Sequence, residues 1–386
     1  KQNVKLKKNL NELSIIERGY KHNPLDHVWK NKVTNPEKRL KCYVDYKYAL
    51  DTNILINEAV IDELIFKVYE LNDKDRDMVI EKEGLPAGLY PVFQKDKDKY
   101  ISSQNDLIDE VIDFINNLEI EERSRDNLKD EVEKLYQKNN SVEEISEALK
   151  LNPISVVEII KEFNSYPKKK AYQISHEFIL DIIRDVLQED EDGISILNEY
   201  AGEKPLDEEI KEKVLNKGFS SGDINRLEAM LGKNIKEYIL NNLFSDECNT
   251  LNLFSRLPKT PFIWHLSSGK VHGFDAFTLI YKWSRDSVFK IKSFYIDKRR
   301  SGLKNMLNNL ADDDSASAEK EKDKIRKQLK EIDEFEQKLD DLLAIGYDPE
   351  LDDGVGKNIA PLQDLGLLAD DVLTKSQLKK FLNADW

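Results

Sequence analysis

The sequence lacks the residues that cross-link small domains or hold metal ions. Its 386 residues include only two cysteines, Cys42 and Cys248, which lie far apart and have no partners at metal-ligand spacing. They give no disulfide framework, and their small number suits a reducing cytoplasm. The five histidines form neither an H-x-x-x-H nor an H-E-x-x-H pattern. We therefore expect no metal site in this chain.

Long apolar runs are also missing. No stretch approaches the length that crosses a bilayer, and no signal peptide is visible. We therefore expect a cytoplasmic protein that does not bind membranes. The chain begins Lys-Gln-Asn without a methionine, so we also expect it to be a fragment or a processed product.

Loops that bind cofactors or carry catalytic groups are absent from the sequence as well. There is no phosphate-binding G-x-x-x-x-G-K-[ST] loop and no G-x-S-x-G elbow. An amino-methyltransferase needs a glycine-rich cofactor loop after a strand and an Asn/Asp-Pro-Pro-aromatic loop for the extruded base. The chain contains no Pro-Pro dipeptide at all. We therefore assign it no catalytic residue and no cofactor of its own.

What the chain has in abundance is charge of both signs. Charged residues make up 34% of it and hydrophobic residues 40%, which favours folded helices with solvated faces. Its length allows two or three domains. The formal net charge of -15 argues against binding nucleic acid over the whole surface, so any DNA contact needs a local positive patch.

Hydrophobic spacing predicts a mainly α fold with one small β-hairpin, formed by Phe262–Leu266 and Phe274–Trp283. Helices are predicted at 57–71, 106–118, 176–188, 207–217 and 222–243, and from residue 285 onward. Residues 347–360 are predicted to be a loop. Hydrophobic positions spaced three and four apart on two consecutive long helices predict an antiparallel, coiled-coil-like hairpin.

The spacing between residues 123 and 164 is typical of a helix-turn-helix. A capping box at Ser141–Glu144 opens its second helix, and Asn152-Pro153 begins its third. The third helix could read a major groove. Because Glu158 and Glu162 on that helix would repel phosphates, three helices that simply pack together are favoured.

We predict six regions along the chain. They are an N-terminal helical and loop region at 1–100, a helix-turn-helix-like region at 101–165, a helical region at 166–255, a basic aromatic β-hairpin region at 256–300, an antiparallel helical hairpin at 286–346, and a C-terminal loop and tail at 347–386.

The segment from Arg256 to Arg300 carries ten lysines and arginines against three aspartates, interleaved with aromatic residues. Such a pattern is typical of nucleic-acid binding. The aromatic residues could equally form a hydrophobic core, with the cations on the solvent-exposed side of the same hairpin. The sequence alone leaves both interpretations open. The candidate DNA-binding residues are Lys259, Lys270, Lys282, Arg285, Lys290, Lys292, Lys298, Arg299 and Arg300.

A second motif, Tyr48–Leu55, resembles the first motif of PIN-domain nucleases, in which an aspartate holds a divalent metal at the end of a strand. Here that residue would be Asp51. The segments that follow are predicted to be helical, so they could not bring further acidic residues to the same site. Asp51 is therefore expected to lie in a turn or to begin a helix.

Several blocks of the second half of the chain follow one another as in a known family. They are Asn241–Ser245, Arg256 with Lys259, Pro261–Gly269, Phe277–Tyr281, Leu351–Val355 and Asn358–Leu362. In this order they resemble the C-terminal part of PglX-type adenine-specific DNA methyltransferases. These enzymes belong to BREX phage-defence systems and are similar to single-chain type IIG restriction-modification enzymes. The block Asp62–Leu71 resembles a further segment of that family, whereas residues 100–235 depart from it.

The resemblance implies a parent enzyme that transfers a methyl group from S-adenosylmethionine to adenine N6 in a non-palindromic site. This chain would lie C-terminal to the catalytic domain, clamping or recognising double-stranded DNA and docking partner proteins of the defence system. No catalytic residue carries over, because no position matches the methyl-transfer motifs. The alternative is a protein-interaction scaffold that uses residues 286–345 and acidic surfaces without touching DNA.

Overall fold

Residues 2–29, 33, 35–104, 107–250 and 261–383 are described by a computed structural model. They form helices and one small antiparallel sheet, which confirms the predicted fold class. The chain divides into two compact units, Lys1–Ser175 and His176–Trp386. The finer division into six regions stays a prediction.

The first unit is helical. Its elements are α1 (Gln2–Asn11), α2 (Pro36–Val68), α3 (Asp73–Glu83), a 3-10 turn (Ala87–Leu89), α4 (Gln94–Ser103), α5 (Asp109–Asn116), α6 (Arg125–Gln137), α7 (Val142–Leu149) and α8 (Pro153–Ile160). The boundary between the units falls within α9 (Lys168–Glu189).

Helix α2 is much longer than the sequence predicted, because hydrophobic spacing revealed only its C-terminal part. Its start is set by Asn35, whose side chain accepts a hydrogen bond from the Lys38 amide at 3.2 Å, and by Pro36 at the first helical position. Asp51 lies in the middle of α2, where Lys47 binds its carboxylate at 2.6 Å. The expectation that Asp51 lies in a turn or begins a helix is wrong. A PIN-like strand end at this position is excluded for the same reason.

Helices α6, α7 and α8 occupy the helix-turn-helix-like segment. The predicted capping box is present, since the Glu144 amide donates to Ser141 Oγ at 3.1 Å and the Ser141 amide donates to Glu144 Oε2 at 2.7 Å. Every residue of α8 is buried, including Glu158, whose carboxylate is bound by Lys99 at 2.6 Å. A helix buried on all sides cannot enter a major groove. The interpretation as three packed helices is confirmed.

The C-terminal part of α2 leaves an apolar face uncovered in the first unit. Ile61, Leu64, Ile65 and Val68 follow a spacing of three, four and seven residues, and Val68 is 78% exposed. Helix α3, which follows, buries none of its residues. We call these four side chains of α2 the apolar stripe.

The second unit combines the sheet with helices. After α9 come β1 (Ile194–Ile196), α10 (Leu206–Asn216), α11 (Ser221–Leu231), α12 (Ile235–Tyr238), a π-helical segment (Ile239–Leu243), α13 (Phe244–Thr250), β2 (Ile263–Ser267), β3 (Asp275–Leu279), a 3-10 turn (Ile280–Lys282), α14 (Arg285–Lys290), a second π-helical segment (Ile291–Ile296), α15 (Asp297–Asn309), α16 (Ala316–Ala344), a 3-10 turn (Leu351–Asp353), α17 (Gly354–Asp364) and α18 (Lys375–Leu382). The predicted loop at 347–360 is therefore partly wrong, since α17 begins at Gly354.

The sheet has the strand order β1-β3-β2, and both neighbouring pairs are antiparallel. Strands β2 and β3 form the predicted hairpin, with Trp264 opposite Thr278 and Leu266 opposite Ala276. The second strand ends at Leu279 rather than at Trp283. Strand β1 was not predicted, because three residues are too few to show a periodic pattern. All residues of the three strands are buried, so elements cover both faces of the sheet.

Helices α15 and α16 run antiparallel, as the sequence predicted. Lys292, in the π-helical segment before α15, contacts Asp340, whereas Arg300 in α15 contacts Asp333. One face of α16 is buried in the core of the unit through Ile325, Ile332, Phe335, Leu339 and Leu342. Within the described residues no helix combines the length and apolarity that a bilayer crossing requires.

Candidate nucleic-acid interface

Two of the candidate cations are held by main-chain carbonyls. Lys282 donates from Nζ to the carbonyl of Gln188 at 2.7 Å and to that of Asp190. Arg299 is only 6% exposed and donates from Nε to the Gly273 carbonyl at 3.1 Å and from Nη1 to the Glu199 carbonyl at 2.9 Å. Both side chains therefore fasten loops of the second unit to its helices.

Three further candidates are paired with carboxylates. Lys290 lies 3.4 Å from Asp192. Lys292 contacts Asp340, and Arg300 contacts Asp333 at 3.3 Å; both also contact Glu336. A carboxylate beside a cation offsets part of the cation's attraction for a phosphate. These partners lie far from residues 256–300 in the chain, so a local charge count could not reveal them.

The remaining candidates are Lys259, Lys270, Arg285 and Lys298. Lys259, like Arg256, lies outside the described residues. Lys270, Arg285 and Lys298 are exposed, and none of the carboxylates that the structure describes lies within ion-pair distance of them. Among the candidates that the structure describes, these three are therefore the exposed cations that no described carboxylate pairs.

Arg285 and Lys298 lie on one continuous helical stretch together with two exposed aromatic rings. The Arg285 guanidinium lies 5.9 Å from the ring centre of Phe289, and Lys298 Nζ lies 3.4 Å from that of Phe294. Successive members are four, five and four residues apart, so each lies about one turn after the previous one, and the five-residue step runs into the π-helical segment with its wider turn. We call Arg285, Phe289, Phe294 and Lys298 the aromatic–basic stripe.

Other exposed aromatic rings lie on the same unit. Phe262 and Tyr281 stack with their ring centres 5.9 Å apart, and Tyr281 lies in the 3-10 turn four residues before Arg285. Tyr200 and the stripe residues Phe294 and Lys298 line one depression of about 510 Å³. The sequence indicated aromatic and basic interleaving, but not which rings would be exposed. By contrast, Trp264, Phe274 and Phe277 are fully buried.

The depression beside the stripe depends on Gly302, against which Tyr200 packs. A Cβ atom built at Gly302 would overlap the Cβ of Tyr200. We therefore expect Gly302→Ala to lower the free energy of unfolding by about 1–3 kcal/mol. Gly222→Ala in α11 is the matched control, since its Cβ would meet nothing nearer than 3.7 Å and a helical alanine is favourable. Urea denaturation measures both; equal effects of the two substitutions would contradict the packing argument.

Sequence comparison relates part of this chain to a known enzyme. No protein-family profile matches the chain. Over 137 residues the chain is 27% identical to the adenine-specific methyltransferase PglX of Lacticaseibacillus casei (strain Zhang). The similarity covers 33% of this chain and 11% of that protein. The chain thus matches a small part of its relative's length, which supports a relationship to PglX over that part.

Proposed function

We propose that this chain is a non-catalytic region of a PglX-type adenine-specific DNA methyltransferase and that it grips DNA through the aromatic–basic stripe. The observation that carries the proposal is the stripe itself: two cations without a carboxylate partner in the described chain, each beside an exposed aromatic ring, in a protein with a net charge of -15. The partial similarity to PglX supports the choice of DNA as the partner.

The dimensions of the stripe suit a DNA strand. Arg285 and Lys298 are thirteen residues apart, which corresponds to roughly 20 Å along a helix. Phosphates of one strand of a duplex follow each other at about 3.4 Å along the axis, so the stripe spans about six of them. The cations would bind phosphates, which position the protein without reading sequence. Phe289 and Phe294 would pack against the sugars between them.

In this proposal the chemistry belongs to the rest of the parent enzyme. Methyl transfer from S-adenosylmethionine to adenine N6, and the BREX phage-defence setting, follow from the family resemblance. The contribution of this chain is to hold double-stranded DNA while a domain elsewhere in the parent acts on it. Recognition of a particular DNA sequence is not assigned to any residue here.

The test is the salt dependence of DNA binding. A fluorescently labelled duplex of about 20 base pairs is titrated with the chain at NaCl concentrations from about 50 to 200 mM. We expect the logarithm of the binding constant to fall linearly with the logarithm of the salt concentration, with a slope of about -2 or steeper, since at least two phosphates are contacted. A chain that shows no salt-sensitive affinity for the duplex would contradict the proposal.

A second candidate function, protein docking, is favoured by the apolar stripe of α2. Isolated exposed apolar residues are common, but four in helical register form a face that another helix can cover. Between Glu58 and Glu83 nine acidic residues stand against four basic ones, so a partner helix with basic flanks fits best. This charge also disfavours pairing with a second copy.

The docking candidate is tested with a synthetic amphipathic peptide that has a leucine face and lysine flanks. We expect the peptide to bind the chain, and the double substitution Leu64→Asp with Val68→Asp to abolish binding. Lys67→Asp, on the same turn of α2 but outside the stripe, is the control and should bind as before. Binding that survives the double substitution, or self-association of the chain through this face, would count against a basic helical partner.

A further inference from the structure

A cavity of about 450 Å³ lies in the second unit, within the size range of about 300–1,000 Å³ that is usual for small-molecule sites. It is separate from the stripe residues. Its wall includes three cationic side chains, a histidine and an exposed aromatic ring, namely Lys236, Arg299, Lys324, His272 and Tyr200. The cations come from α12, α15 and α16, so the fold, rather than one basic run of sequence, brings them together.

Arg299 lacks a direct ion-pair partner among the described residues, although the nearby charges of Glu199 and Asp275 favour its charged form. Its hydrogen bonds go to two main-chain carbonyls, and no carboxylate within the described ranges forms an ion pair with it. Its Nη2 donates no hydrogen bond to any described group. Burial lowers the pKa of Arg299 from its usual value, as expected for a desolvated cation. Buried charges are ordinarily paired, so a guanidinium in this condition on a cavity wall is suited to an anionic ligand.

His272 presents a second donor to the same cavity. Its Nδ1 lies 3.1 Å from Asp275 Oδ2, and Asp275 is fully buried and also bonded to His265 Nε2 at 3.0 Å. The hydrogen bond to Asp275 raises the pKa of His272, with Glu331 adding to the effect. With Nδ1 engaged, Nε2 remains as the donor for a ligand, because no group that the structure describes bonds to it. An imidazole held in place by a carboxylate, beside a guanidinium, is a donor set that suits phosphate.

Backbone strain is concentrated at this cavity. Tyr200 has a φ of 59° and His272 a φ of 52°, and they are two of the five non-glycine residues with positive φ in the described chain. Such conformations persist where the surroundings impose them, often at ligand sites. Tyr200 packs on Gly302, and the residue as a whole is 53% exposed. Its position at the cavity suits stacking on a planar ligand group.

We propose that this cavity binds the phosphate of a nucleotide. Arg299 and His272 hold the phosphate, Lys236 adds charge, and Tyr200 stacks on the base. Two carboxylates also line the wall; Glu321 lies 3.9 Å from Lys324 Nζ, and Glu199 contributes its carbonyl to Arg299. The nucleotide is either free in solution or part of a DNA strand, since both present the same phosphate and base.

The test is calorimetric titration of the whole chain with dAMP, with inorganic phosphate and with a short single-stranded oligonucleotide. We expect Lys236→Glu and His272→Asn each to weaken binding at least about tenfold, because the first reverses a positive charge on the wall and the second removes the Nε2 donor. Asparagine is chosen because it tolerates the left-handed backbone of His272. Tyr200→Ala should weaken dAMP binding by about fivefold or more and leave phosphate binding unchanged. Circular dichroism confirms that each variant is folded.

Two controls separate this site from the aromatic–basic stripe. Lys327→Glu, on α16 but outside the cavity wall, should leave all three affinities unchanged. The stripe variant with Arg285→Glu and Lys298→Glu should bind dAMP like the unsubstituted chain, so failure of the stripe proposal and of this one can be told apart. Binding of dAMP identifies a free nucleotide, and binding of the oligonucleotide alone identifies a DNA strand. The proposal is overturned if the chain binds neither dAMP nor the oligonucleotide. It is also overturned if Lys236→Glu and His272→Asn leave the affinities unchanged.

Discussion

Replacing Arg285 and Lys298 together with glutamate is expected to reduce duplex DNA binding by at least about tenfold near 150 mM salt. The slope of log binding constant against log salt should also become shallower by roughly 2, since each cation accounts for about one released counterion. The reason is local: these cations are exposed, lie beside aromatic rings and have no carboxylate partner in the described structure. Fluorescence anisotropy across a salt series measures both quantities.

The matched control reverses two cations elsewhere on the same unit. Lys320 and Lys327 are exposed on α16, and their double substitution by glutamate changes the net charge by the same amount. This variant should bind DNA nearly as the original does. An equal loss in both variants would mean that overall charge, and not the stripe, governs binding.

The paired cations provide a further comparison. Lys292→Gln and Arg300→Gln remove contacts to Asp340, Asp333 and Glu336, so they should lower stability while leaving the salt slope unchanged. Candidates that the sequence could not tell apart thus have different expected phenotypes.

Glu247 is expected to make stability strongly dependent on pH. Its carboxyl group is fully buried, which raises its pKa to about 8, although Oε1 accepts hydrogen bonds from the Phe262 and Ile263 amides at 2.7 and 2.9 Å. In the unfolded chain it ionises near 4.5. Between these two values the folded state binds one more proton than the unfolded state. Stability should therefore fall as pH rises from about 4.5 to about 8, and this contribution should level off above that.

Glu247→Gln keeps the acceptor for the two amides and removes the titration. Each pH unit in that window corresponds to about 1.4 kcal/mol, so the variant should exceed the original chain by up to roughly 5 kcal/mol above pH 8 and by less than about 1 kcal/mol near pH 5. Urea denaturation from pH 5 to 9 measures the difference, with exposed Glu237→Gln as the control. Parallel curves for the original chain and Glu247→Gln would show that Glu247 is not protonated when folded.

Much of the fold could be predicted because its signals are local. The capping box at Ser141–Glu144 and the apolar spacing on α16 each lie within one element, and the structure confirms both. The β2–β3 hairpin was predicted because its strands flank a short turn. Strand β1 was missed because its three residues pair with β3, some eighty positions away, and have no pattern of their own.

The candidate site was predictable only in outline. Whether a cation is exposed, ion-paired or buried depends on residues that are distant in the sequence. The basic segment indicated Arg285 and Arg299 equally, yet one is exposed beside Phe289 and the other is buried against carbonyls. Nothing in the sequence distinguished them. The π-helical segment Ile291–Ile296 was not predicted either, since its residue types suit an ordinary helix as well.

The most direct test of the stripe as a DNA contact is lysine labelling with and without DNA. The chain is treated with an amine-reactive reagent, free or saturated with duplex, and modification is quantified by mass spectrometry. The account predicts that DNA protects Lys298, whereas Lys327 on the outer surface of α16 is labelled equally in both states. Equal labelling of Lys298 with and without bound duplex would contradict it.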